Sequence, residues 1–124
     1  MSTESVARRL VQLCREGKFN EAQDELYAAN ARSIEPEKMA SGPMGSVSGL
    51  EAIREKGRLF MESLTDIHGV TVSDPLVAGP FFSVVMGFDA TYTQGGRRLM
   101  NEICVFEVAN DKIVLEQFFY PTAG

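Results

Sequence analysis

The chain has 124 residues, is 44% hydrophobic, and carries 12 Lys and Arg against 17 Asp and Glu, for a formal net charge of −5. That length makes one ordinary globular domain, residues 1–124, large enough for a real core and too short for a second. A mildly acidic surface with no basic stripe repels a phosphate backbone, so nucleic acid is not an expected partner. No uninterrupted apolar run approaches membrane-spanning length, so no membrane partner is expected either.

The first residues, Met1 to Arg9, place charge where a signal peptide needs its apolar core, and the expected compartment is cytoplasmic. A first helix is predicted from about Thr3 to Glu16, with Val6, Leu10, Leu13 and Cys14 on one face and Gly17 as its left-handed stop. A second helix follows, with Asn20 as N-cap and Gln23 three residues on as in a capping box, and ends near Leu26-Tyr27. A short strand from Ala31 to Glu35 is stopped by Pro36. Residues 37–47 are too rich in Gly, Ser and Pro for a regular element and long enough for a lid, with Met39 and Met44 unusually apolar for a loop. A third helix is predicted to open with a capping box at Ser48-Gly49-Leu50-Glu51 and to bury Leu50, Ile53, Phe60, Met61 and Leu64.

Four long segments then read as strands: His68 to Ala78, Phe81 to Thr93, Arg97 to Val108 and Ile113 to Tyr120. They meet at Gly79-Pro80, Gln94-Gly95-Gly96 and Ala109-Asn110-Asp111. Helices followed by a meander of long strands predict an α+β fold, a cone-shaped roll of three N-terminal helices packed in the concavity of a strongly bent antiparallel sheet. Such a cone has a hollow side.

Parity places Phe82, Val84, Met86, Phe88, Ala90 and Tyr92 on one face, expected to look into the cone. Met100, Glu102, Cys104 and Phe106 form one set of the next strand, and Glu116, Phe118 and Tyr120 one set of the last. A three-residue bulged hairpin loop at Asn110-Asp111 would bring those two sets onto one face; a two-residue loop would not. Met86, Phe88, Tyr92, Met100, Phe106, Phe118 and Tyr120 would suit a planar apolar ligand, and would equally fill an ordinary core.

Glu102 and Glu116 interrupt otherwise apolar sets. Facing inward, they are candidates for an acid and base pair. Facing outward, after a one-residue slip in register, they would be rim residues paired with Arg97, Arg98 or Lys112. His68, the only histidine, reads as a surface residue at a strand entrance. No metal site is expected, because nothing clusters at ligand spacing. Cys14 and Cys104 are scattered and read as reduced thiols. Cys104 reads as a small buried residue, since nearby carboxylates would raise its pKa and leave it unreactive.

The run from Glu25 through Ala31 into Ile34-Glu35-Pro36, then Gly49 to Glu55, then Val105 to Val114, resembles the nuclear transport factor 2-like superfamily, and within it the SnoaL-like and ketosteroid isomerase-like proteins. The resemblance covers nearly the whole chain. It implies a homodimer through the outer faces of the sheet, to which an apolar convex set around Val85 and Phe119 adds support. Ketosteroid isomerases carry an aspartate before proline as the proton-transferring base; here that position is Glu35, before Pro36. Their two oxyanion donors, a tyrosine and a protonated aspartic acid, fall on Leu10 and Cys104. Without those donors the chain does not resemble a true ketosteroid isomerase. SnoaL-like cyclases use the final strand, where the matching positions are Glu116 and Phe118.

The expectation is a SnoaL-like protein that binds or transforms a small, hydrophobic, cyclic metabolite by proton transfer, without metal or other cofactor. Glu35 would be the base and Tyr27, Tyr92 or Tyr120 the donors. A non-catalytic ligand-binding or dimerising module of the same fold is the rival.

Overall fold

In the computed structural model, which describes residues 2–122, the chain enters on helix α1, Thr3–Arg15. Ser2 and Ser5 cap it reciprocally: the Ser5 N–H donates to Ser2 Oγ at 3.1 Å and the Ser2 N–H to Ser5 Oγ at 2.8 Å. Gly17, with φ +74°, ends it as expected. Helix α2, Phe19–Leu26, begins one residue ahead of Asn20, with Lys18 at the cap and no side-chain capping bond. The capping box expected at Asn20 and Gln23 therefore does not form; Asn20 lies inside the first turn.

Strand β1 runs Tyr27–Ile34, four residues ahead of the expected start. The extension comes from Tyr27 pairing with Ile113, a distant partner that no local pattern announces. A single 3-10 turn, Glu37–Met39, opens the following loop. Met39 and Met44 are 50% and 42% exposed. The loop folds tightly at Gly45, where a Cβ would meet the Ala40 carbonyl oxygen at 2.3 Å.

Strand β2, Val47–Ser48, pairs with β1 and takes Ser48 out of the cap of helix α3, Leu50–Glu62, which Gly49 caps instead. In α3, Ile53 is buried and Leu50 and Phe60 are half-buried. Met61, expected inside, is 46% exposed.

The segment expected as one strand from His68 to Ala78 is two: β3, Leu64–Val72, and β4, Leu76–Ala78. Pro75 has no N–H to give a ladder, and Arg15 fastens the break by donating to the Val72 carbonyl at 2.8 Å and to Asp74 at 3.0 Å. Strands β5, Phe81–Tyr92, β6, Gly96–Ala109, and β7, Lys112–Phe119, complete a sheet in the order β2-β1-β7-β6-β5-β3, with β4 also on β5. All pairings are antiparallel except β1 with β7, which is parallel and corrects the expectation of a wholly antiparallel sheet.

The hairpin between β6 and β7 turns on two residues, Asn110 and Asp111, both at positive φ (52° and 64°), the type I′ geometry. Alone it would have separated the inward sets of β6 and β7. A bulge at Val114 restores them: Val108 faces Ile113, whereas Glu107 faces Leu115, Phe106 faces Glu116 and Cys104 faces Phe118. No helix among the described residues is long and apolar enough to cross a membrane.

Candidate active site

The concave wall changes character along its length. At the closed end Phe82 stacks on Phe106 with ring centroids 4.7 Å apart, and Leu10, Leu13, Val84 and Cys104 pack around them, all buried. Towards the wide end the inward residues Met86, Phe88, Tyr92, Met100, Phe118 and Tyr120 are only half-buried. Phe60 of α3 completes an aromatic wall there, 5.4 Å from Phe88 and 6.3 Å from Tyr92. Phe106, expected to line a ligand, and Leu10 and Cys104, at the two donor positions of the resemblance, are 3%, 3% and 0% exposed and form the floor. The apolar volume that would have been needed to open the narrow end is filled by their own side chains.

A chain of polar contacts runs up one side of the cone. Deepest is Glu116, 6% exposed, which accepts from the Tyr27 hydroxyl and from Ser33, its neighbour in register across the β1–β7 pair. Lys56 of α3 donates to Ser33 Oγ at 2.7 Å and lies 2.5 Å from Glu35 Oε2. Tyr120 donates to Glu35 Oε1 at 2.5 Å. The Lys56 ammonium also sits 5.4 Å from the centroid of the Phe118 ring. Burial pushes the Glu116 carboxyl up, opposed by the bonds from Tyr27 and Ser33. Tyr27 is raised by burial and by the Glu116 charge, and Tyr120 by burial and its bond to Glu35. Both phenols therefore remain donors at neutral pH.

Glu102 is different. It faces Met86 across β5 and β6 and stands two residues from Cys104 on the same wall. Its one hydrogen bond among the described residues is from the Cys104 thiol, at 3.5 Å. Burial, with the charges of Glu35 and Glu116 behind it, pushes the Glu102 carboxyl up to about 7. Burial and the Glu102 charge raise Cys104 in turn, so this thiol stays protonated and is no nucleophile. Three carboxyl groups, Glu35, Glu102 and Glu116, thus share the concave side with one ammonium, Lys56.

The structure brings Glu102 and Glu116 onto the same inner face but not into contact: each has its own partners. Tyr27 lies under the site, bonded to Glu116. Tyr92 lies at the rim, raised by burial, with Arg98 opposing and Glu102 adding to that shift. His68 is exposed and bonds Thr91 Oγ1 at 2.7 Å, away from the cone. Among the described residues no group of three or more His, Cys, Asp or Glu could hold a metal ion.

Sequence reasoning missed Lys56 and Ser33, and read Phe60 only as part of the buried stripe of α3. A signal existed for Lys56, which follows Ile53 by three residues and precedes Phe60 by four, so that a charge interrupts the apolar stripe of α3. Ser33 likewise shares a parity with Ala31 and Glu35.

These features define a class: an α+β cone whose wide end holds carboxyl groups and aromatic walls. A family model for the SnoaL-like domain matches residues 1–120. The chain belongs to the SnoaL-like family. Among solved structures it resembles a protein of Mesorhizobium loti assigned as a SnoaL-like polyketide cyclase, at 31% identity over 97% of this chain and 100% of that one, with a TM-score of 0.88. An NTF2-like protein of Burkholderia pseudomallei shares the fold at 15% identity, covering 98% and 92% of the two chains with a TM-score of 0.78. So does TerC, co-crystallised with polyporic acid, at 12% identity, 97% and 92% coverage and a TM-score of 0.77. No match was found among curated proteins.

Proposed function

We propose that the chain is a SnoaL-like acid–base enzyme that moves a proton on a small, hydrophobic, cyclic carbonyl compound at the wide end of the cone, by an isomerase, cyclase or dehydratase type of reaction. The observation that carries this reading is the contrast between two carboxyl groups on the concave side. Glu35 lies in an ion pair with Lys56 and accepts from the Tyr120 hydroxyl, whereas Glu102 makes no ion pair among the described residues and is pushed to about 7. Environments that separate two such groups assign an acid and a base. Glu102 would supply a proton to the substrate oxygen, and Glu35 would take one from carbon, with the Tyr120 hydroxyl available to either. The aromatic wall of Phe60, Phe88, Tyr92 and Phe118 suits a flat apolar body. The ring compound bound by TerC and the cyclase assignment of the Mesorhizobium loti protein fit the same substrate class.

The test is carbon-bound hydrogen exchange in D2O. Wild type should speed deuterium uptake next to the carbonyl in a panel of tetralones and cyclic diketones, read by proton NMR, and Glu35→Gln should abolish it. Exchange that is unaffected by Glu35→Gln, or no exchange with any member, would contradict the reading.

A non-catalytic binding module is favoured by one observation: Glu35 is already engaged by two partners, which a binding protein would leave undisturbed. We also propose a homodimer through the convex face, where Val85, Ile103 and Phe119 form a half-exposed apolar row across three paired strands. Sedimentation should report a dimer that Ile103→Asp converts to monomer; a monomeric wild type would remove this interface.

A further inference from the structure

Arg98 occupies the concave side of β6. It pairs in register with Ala90, which is wholly buried on the inner face, and it precedes Met100 and Glu102 in the same inward set. Its guanidinium lies 4.2 Å from the Tyr92 ring centroid and packs against Gly95 at the hairpin turn. Stacking uses the flat face of a guanidinium and leaves its in-plane donors free. Arg97, next in the chain but facing the other way, has its fork closed by Asp89 at 3.0 and 3.1 Å. Arg98 has no carboxylate partner among the described residues. A cation with open donors thus stands at the rim of a site whose inner end carries three carboxyl groups.

We propose that Arg98 reads a carboxylate on the ligand, and that the ligand is an extended cyclic or aromatic monocarboxylate lying along β6 with its neutral, reacting end at Glu102. This deepens the acid–base reading above and rests on the wide end being the ligand site. The charges set the direction of binding: at the inner end Lys56 is already paired with Glu35, and Glu102 and Glu116 add carboxyl groups but no further cation, so an anion is disfavoured there and attracted by Arg98 at the outer end. A single guanidinium matches a single negative charge, and the surplus of carboxyl groups disfavours a dianion such as a phosphate monoester. Arg98 and Glu102 are four residues apart, about 13 Å of strand, so the ligand needs two or three rings between its carboxylate and its reacting group. Met100 and its partner in register, Phe88, lie along that path, with Phe60 beside Phe88.

The probe pair is 4′-hydroxybiphenyl-4-carboxylate and its primary carboxamide, alike in shape and different in charge. Because the chain has no tryptophan, their own fluorescence can report binding. Wild type should bind the carboxylate about ten-fold more tightly than the amide, as one charge-assisted bidentate contact would give. Added salt should narrow the gap. Arg98→Gln should bring the two probes within about two-fold of each other by weakening the carboxylate far more than the amide, and Arg98→Lys should restore part of the preference. Equal binding of the two probes by wild type would overturn the proposal and leave the ligand site standing. A preference that persists in Arg98→Gln would do the same, assigning Arg98 only to hairpin packing. If neither probe binds, or if methyl NMR places them away from Met86 and Met100, the wide-end site fails and this proposal fails with it.

Discussion

Glu116 and Glu102 are both inward carboxyl groups on neighbouring strands, both raised by burial, and they are built for different work. Glu116 lies at the deep end of a hydrogen-bonded chain, accepts from Tyr27 and Ser33, and is 6% exposed. Glu102 stands nearer the wide end with a thiol as its only hydrogen-bond partner among the described residues. Burial alone does not make a reactive carboxyl; burial without compensating donors does. The apolar residues repeat the contrast, with Phe82 and Phe106 sealed at the closed end and Phe60, Phe88 and Phe118 half-open at the other. One set of strands therefore supplies a sealed floor and a half-buried rim, separated only by depth.

The largest expected effect breaks the contrast between the two ends. Phe106→Ala should cost about 3–5 kcal/mol by removing a fully buried ring from a floor that cannot collapse. Phe88→Ala, at the half-open end, should cost markedly less. Urea denaturation of the two variants gives the comparison directly, and equal losses would mean that the wide end is as tightly packed as the narrow one.

Glu102→Gln should stabilise the protein. The folded carboxyl holds its proton up to about 7 where the ordinary value is 4.5, so the folded state binds more protons than the unfolded between those limits. Stability must then fall as pH rises through that window. The substitution should have little effect near pH 4 and a gain of up to about 3 kcal/mol above pH 7. Thermal denaturation from pH 4 to 8 checks both the sign and the window. Tyr27→Phe should act in the opposite direction, leaving Glu116 short of a donor in a buried place, at a loss of about 1–3 kcal/mol. A Glu116 whose partners are dispensable would erase the difference between the two carboxyl groups.

Much of this arrangement was legible in the sequence because it is local. Alternation along 82–92 announced the inner face of β5, and the turn residues marked the hairpins. What was not legible depends on partners distant in the chain. The early start of β1 comes from Tyr27 meeting Ile113, and its parallel pairing with β7 has no local mark. The facing of Glu116 hung on the hairpin, where a two-residue turn and the bulge at Val114 together produce the inward set that a three-residue loop was expected to give. Glu35 before Pro36 was visible as a candidate, but its engagement by Lys56 was not, because helix α3 approaches β1 only in the folded chain. Met61 shows the reverse error: it fits the apolar stripe of α3 by spacing yet lies at its edge, where the cone no longer covers it.

The central claim is that Glu102 is a buried carboxyl with no ion pair among the described residues, and so changes charge near neutral pH. Carbon-detected NMR of protein labelled at the glutamate side-chain carboxyl, assigned by Glu102→Gln, tests it most directly. A Glu102 midpoint near 7, with Cys104 still protonated there, is the predicted result; a midpoint near 4.5 would contradict the account.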